Sequence, residues 1–180
     1  MPLRLNTSNP GKFEEFKELF AKHGIELDMS HLDVAEIDAD PIQVVVHKAG
    51  QLGEGILVDD TSLHVAGASF GVNIRWMLSH LSDYVGTQAE WTVLLAYRQG
   101  KEVLVYKGNI PGVIVLPRVP SPKGFGFDPV FLPEGSSHTL AESKPDRYSA
   151  RAQAVEAFVK GDVYARHPII EHWSGPWQNI

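Results

Sequence analysis

Apolar positions along the chain switch between two spacings, and each switch marks a change of element. Leu3 and Leu5 alternate with Arg4 and Asn6, which predicts a short strand. Asn9 then stands as an N-cap with Pro10 at the first helical position. Phe13, Phe16, Leu19 and Phe20 follow at helical spacing, and Gly24 fits the stop. Asp40-Pro41 repeats that start, and Ile42, Val45, Val46 and Ala49 form the stripe of a second helix running out near Gly53 to Gly55. Ile56-Leu57-Val58 reads as a short buried strand ended by Asp59-Asp60, and Trp76 to Leu81 as a helix. Trp91 to Tyr97 and Glu102 to Lys107, joined by residues 98–101, predict a β-hairpin, and Val113 to Leu116 a third strand. A Pro/Gly-rich loop covers 117–129, a helix covers Ala150 to Lys160, and the tail from Gly161 is rich in Pro, Trp and His without a clear period. No repeat or long linker divides the chain, so residues 1–180 are expected to form a single domain. The alternation predicts an α/β protein, a mixed β-sheet flanked by helices.

Composition narrows the function classes. With 43% hydrophobic and 21% charged residues the chain is of ordinary globular make-up. Its net charge of −6 argues against binding nucleic-acid polymers, while leaving room for a local basic pocket around one phosphorylated ligand. The absence of Cys excludes disulfides, thiolate zinc sites and thiol nucleophiles. Met1 to Asn6 holds no apolar core of signal-peptide length, and no apolar run approaches membrane-spanning length. A cytoplasmic protein without a membrane partner is the expectation, and Asn6-Thr7-Ser8 is read as a chance glycosylation triplet.

Four constellations carry candidate chemistry. In Thr7-Ser8-Asn9-Pro10-Gly11-Lys12 a strand-to-helix turn exposes unpaired helix N–H groups that suit an anion. Lys12 sits in the first helical turn, where the helix dipole disfavours a cation and a bound phosphate would relieve the conflict; the bland alternative is a capped helix with a solvated lysine. The second group is acidic, with Glu36, Asp38 and Asp40 before one helix and Asp59-Asp60 after an apolar strand. Such oxygen donors suit a hard cation such as Mg²⁺, although Asp40 is covered by helix capping. The third is Lys123-Gly124-Phe125-Gly126-Phe127-Asp128-Pro129, whose glycines permit close backbone approach and whose rings would either stack on a base or face the core. The fourth is Arg147-Tyr148-Ser149-Ala150-Arg151, with Ser149 as N-cap and arginine forks for phosphate or carbonyl groups, or simply an amphipathic helix start. The eight His residues show no metal-ligand spacing and are read as packing or surface residues.

Taken in order, these constellations resemble the inosine triphosphate pyrophosphatase family. The family's opening motif is matched by Thr7, Ser8, Asn9 and Lys12, its metal-binding Glu resembles Glu36, and the Lys of its second helix resembles Lys48. Val58 to Leu63 is similar to its acidic signature, Phe125 to Phe131 to its aromatic one, and Ala141-Glu142 to a further motif; the likeness extends from residue 3 to about 160. The resemblance implies an elongated fold of two lobes around a central cleft, commonly a homodimer. It implies hydrolysis of inosine, deoxyinosine and xanthosine triphosphates to the monophosphate and pyrophosphate. By the same resemblance Glu36, Asp60 and Asp59 hold Mg²⁺, Asp60 acts on the attacking water, and Asn9, Lys12, Lys48 and Thr61 bind the triphosphate. Arg75, Phe125, Gly126, Phe127, Asp128, Ser149 and Arg151 complete the substrate contacts.

Three departures bear on the base. Pro145 replaces a motif Lys, for which Lys144 or Arg147 are the candidate substitutes, Ala150 replaces a His that helps read the 6-oxo purine, and Arg75 replaces a Lys. Two rival readings follow: a related pyrophosphatase with shifted specificity, including modified pyrimidine triphosphates, and a non-catalytic nucleotide sensor.

Overall fold

A computed structural model describes residues 2–65, 68–69, 74–118 and 126–178. The strands are β1 (Leu3–Asn6), β2 (Leu27–Ser30), β3 (Ile56–Val65), β4 (Ala68–Ser69), β5 (Gln88–Gln99), β6 (Glu102–Ile114), β7 (Phe131–Pro133) and β8 (Ala165–Pro168). The helices are α1 (Pro10–Ala21), α2 (Pro41–Gln51), α3 (Ile74–Ser79) and α4 (Ala150–Lys160). One eight-stranded sheet runs β2-β1-β3-β5-β6-β7, with β4 on β3 and β8 on β6. β1 is parallel to β2 and β3, whereas β7 and β8 are antiparallel to β6, so the sheet is mixed as the sequence predicts.

The chain divides into two compact units, residues 1–60, 94–107 and 154–180 in the first, and residues 61–93 and 108–153 in the second. Within the first unit, Val45, Val46 and Ala49 of α2 pack with Val58 of β3, Leu94 and Ala96 of β5, and Val103 and Val105 of β6. The intervening strand residues point the other way, because side chains alternate across a strand. Tyr97 and Tyr106 there meet Phe158 of α4 edge-on at 5.9 and 5.2 Å, and Phe20 of α1 joins at 5.7 Å. Apolar residues on both faces make these strands near-continuous hydrophobic runs. The helix starts follow their caps. Asn9 accepts from the Lys12 amide at 3.1 Å, and Asp40 accepts from that of Gln43 at 3.0 Å.

Two expectations need correction. The strand read as Ile56 to Val58 does not end at Asp59-Asp60 but continues through both to Val65. The sheet ladder fixes its backbone, and lysines close to the aspartates offset the poor strand preference of those residues. The third strand read at Val113 to Leu116 is instead the end of β6, which runs unbroken to Ile114. Four strands went unread: β2, β4, β7 and β8.

In the second unit, Trp91, Phe127 and Phe131 form an edge-to-face row with centroid separations of 6.0 and 5.9 Å. Gly112 lets β7 approach β6 beside this row, since a Cβ there would stand 2.4 Å from the Leu132 carbonyl oxygen and 2.7 Å from the Phe131 ring. Gly112→Ala should therefore destabilise the protein by about 1–3 kcal/mol, the usual cost of overpacking. Chemical denaturation measures it, and an unchanged midpoint would show that β7 can move aside.

Candidate functional site

In the first unit the end of β1 runs parallel to the first residues of β3, with Leu5 opposite Leu57. β1 ends at Asn6, and the chain turns through Thr7, Ser8 and Asn9 into α1. The Asn9 amide donates to Thr7 Oγ1 at 3.1 Å, which sets the turn. α1 thus delivers Lys12 to the buried Asp59, with Nζ 3.2 Å from Oδ2. The cation that the helix dipole disfavours is held here by a carboxylate.

α2 delivers a second ammonium. Lys48 Nζ lies 2.9 Å from Glu36 Oε1 and donates to the Asp59 carbonyl oxygen at 3.1 Å. Burial pulls the Lys48 pKa down, but the charges of Asp59, Glu36 and Asp60 outweigh it and hold it above the ordinary value. Asp60 is also shifted upward, which for a carboxyl favours the neutral form. Burial first, with the negative charges of Asp59 and Glu36 adding, raises its carboxyl to about 6, against the pull of Lys48 and Lys12. Two lysines and three carboxylates therefore share one patch, with negative charge in excess. Among the described residues, no three acidic or His side chains stand in a preformed metal-ligand arrangement.

The second unit holds the other predicted residues. Asp128 opens a short 3₁₀ turn (Asp128–Val130) and is buried, with Lys144 Nζ 2.6 Å from its Oδ2. Of the two candidate cations near Pro145, Lys144 is the one that meets Asp128, whereas the Arg147 guanidinium lies 5.0 Å from the Tyr148 ring centre. Phe127 is buried in the aromatic row, and Gly126 precedes it at φ 61°, a conformation that favours glycine. Ser149 caps α4 through the Ala152 amide at 3.1 Å, and Arg151 is buried with its guanidinium carbon 5.3 Å from the Trp91 ring centre. Ala150 is fully buried. Thr61 directly follows Asp60 on β3 and is half-buried. Phe125 and the Arg75 side chain lie outside the described residues.

Sequence reasoning passed over Trp91. Both Lys144, at 5.9 Å, and Arg151 lie over its ring, and a lone buried aromatic in an apolar strand gives no local signal of that role. It also did not anticipate that Glu142 would accept from the Thr139 amide at 2.9 Å, closing a local loop.

A pH-dependent stability follows from Asp60. In metal-free buffer the folded chain takes up a proton near pH 6, whereas an unfolded Asp does so near 3.8. Between those values the folded state binds more protons, so stability falls as pH rises and the loss persists above pH 6. Asp60→Asn carries no such cost. It should be more stable than the native protein by about 1–3 kcal/mol at pH 7.5 and gain little at pH 4. Denaturation at both pH values checks it, and equal stability at pH 7.5 would contradict the assigned burial.

The chain is similar to the dITP/XTP pyrophosphatase of Methanopyrus kandleri, at 28% identity over 89% of this chain and 95% of the relative. It is similar to that of Thermococcus kodakarensis, at 30% over 88% and 95%, and to the inosine triphosphate pyrophosphatase of Yarrowia lipolytica, at 31% over 88% and 92%. The Ham1 family model matches residues 3–161, and the chain belongs to the Ham1 family.

Proposed function

We propose that this protein hydrolyses inosine, deoxyinosine and xanthosine triphosphates to the monophosphate and pyrophosphate, clearing these nucleotides from the pool. It is a hydrolase acting on acid anhydrides, the class to which its named relatives belong. The observation that carries the reading is the patch where Lys12 and Lys48 meet Glu36, Asp59 and Asp60. A protein without phosphate chemistry has little use for two half-buried lysines gathered around a carboxyl raised to about 6.

The donor set fits Mg²⁺ in kind. All three acidic groups offer hard oxygen ligands, and their excess negative charge leaves Asp60 short of a cation. Glu36, Asp59 and Asp60 would hold the ion, which when bound neutralises phosphate charge and orients water. Lys12 and Lys48 then donate to phosphate oxygens in place of the carboxylates, joined by the Asn9 turn and Thr61. Asp60 takes a proton from the water whose oxygen attacks the α-phosphorus. The bond to the α–β bridging oxygen breaks, and pyrophosphate leaves with that electron pair. A positioned base contributes about 10²–10⁴-fold to the rate.

Asp128, Ser149, Arg151 and the residues 125–127 serve the nucleoside, with Arg75 as a further contact. Lys144 stands in for the motif lysine lost at Pro145, and its place on the buried Asp128 favours that substitution. Ala150 offers no side-chain donor to a 6-oxo group, so discrimination between bases rests on the remaining donors.

Pyrophosphate release with Mg²⁺ should favour inosine and xanthosine triphosphates over the four standard nucleotides and modified pyrimidines. Asp60→Asn should lower that turnover by at least about 10²-fold. Preference for a pyrimidine would move the specificity to the related family, and binding without release from any nucleotide would leave the sensor reading instead.

A further inference from the structure

The family match ends at residue 161, and the chain beyond it returns to the segment that carries Glu36. After α4 the backbone pairs along β6 as β8, and Ile169 and Ile170 pack against the α2 core. Trp177 then bridges to Ile37 as an isolated antiparallel pair. The Asp38 amide donates to the Pro176 carbonyl oxygen at 2.9 Å, and the Gln178 amide donates to that of Glu36 at 2.9 Å. Gln178 Nε2 adds a bond to the Ile37 carbonyl oxygen at 3.1 Å. The Trp177 ring meets His47 edge-on at 5.4 Å, one residue before Lys48 in α2.

The tail is itself shaped for this. Trp173 Nε1 donates to the same Pro176 carbonyl at 2.8 Å, and Gly175 makes room for that indole, since a Cβ there would stand 2.7 Å from its ring. At the other end of the segment, Asn6 exchanges two bonds with Leu32, accepting from its amide at 2.7 Å and donating to its carbonyl oxygen at 3.0 Å. Residues 33–38 are thus pinned from β1 on one side and from the tail on the other.

We propose that Trp173 to Gln178 form a positioning strap that holds Glu36 and α2 in place for the metal. The inference rests on Glu36 as a metal-holding carboxylate. Three backbone or side-chain bonds to residues 36–38 fix the carbonyl and amide groups flanking the Glu36 side chain, and the indole braces the helix that carries Lys48. Outer-sphere partners of this kind typically change metal affinity 10–100-fold when lost. The strap's residues touch no reacting atom, so their loss acts on metal affinity rather than on the saturated rate.

Calorimetric titration of Mg²⁺ into nucleotide-free protein tests it. Trp177→Ala should weaken Mg²⁺ binding about tenfold, and Trp177→Phe should restore it to within about twofold. Gln178→Ala should weaken it by less, as it removes one bond. Hydrogen exchange at the Asp38 amide should accelerate in Trp177→Ala, and kcat at saturating Mg²⁺ should stay within about twofold of native. Unchanged Mg²⁺ affinity and Asp38 exchange in Trp177→Ala, with Glu36→Gln losing Mg²⁺ affinity, would overturn the strap alone. Native Mg²⁺ affinity in Glu36→Gln would overturn the metal reading of Glu36 and the strap's purpose with it.

Discussion

Two adjacent aspartates inside a ten-residue strand are the constraint on which the first unit depends. A buried carboxylate without a counter-charge costs several kcal/mol, so Asp59 and Asp60 are tolerable only where cations reach them. That requirement fixes where the neighbouring helices begin and point. α1 starts at Pro10 behind the Asn9 cap, which puts Lys12 on Asp59. α2 places Lys48 in its last turn, against Glu36 and the Asp59 carbonyl. Capping, helix position and ion pairing are one solution to a single electrostatic problem, and Asp60 is the group left incompletely compensated.

The incomplete compensation links stability to function. A fully satisfied patch would leave no place for a cation or a phosphate. Here Asp59 and Glu36 each pair with a lysine that a divalent ion would displace, so the native state keeps a strained charge balance that substrate and metal together would complete. Stored destabilisation at a site of this type is expected when its groups must change partners during the reaction.

Much of this was legible in the sequence, and the failures have physical causes. The caps at Asn9 and Asp40, with the stripe of Phe13, Phe16, Leu19 and Phe20 and that of Ile42, Val45, Val46 and Ala49, placed α1 and α2 because helix signals are local. β3 was cut short at Asp59 because strand preference was weighed without the lysines, which arrive from residues 47 and 11 positions away. β2, β7 and β8 are three or four residues long, and β7 and β8 each end in proline, so pairing with β1 and β6 makes them strands rather than any pattern of their own. The pairing of Lys144 with Asp128, and the place of both Lys144 and Arg151 on Trp91, depend on folding across more than fifteen residues and left no spacing to read. The tail's role was hidden for the same reason, its bonds being to backbone groups of residues 36–38.

The central claim is that water attacks the α-phosphorus of a nucleoside triphosphate beside Asp60. Hydrolysis of inosine triphosphate in ¹⁸O-labelled water with Mg²⁺, followed by mass spectrometry of both products, tests it most directly. The account predicts one ¹⁸O in the inosine monophosphate and none in the pyrophosphate. Label in the pyrophosphate, or release of orthophosphate from the γ position, would contradict it.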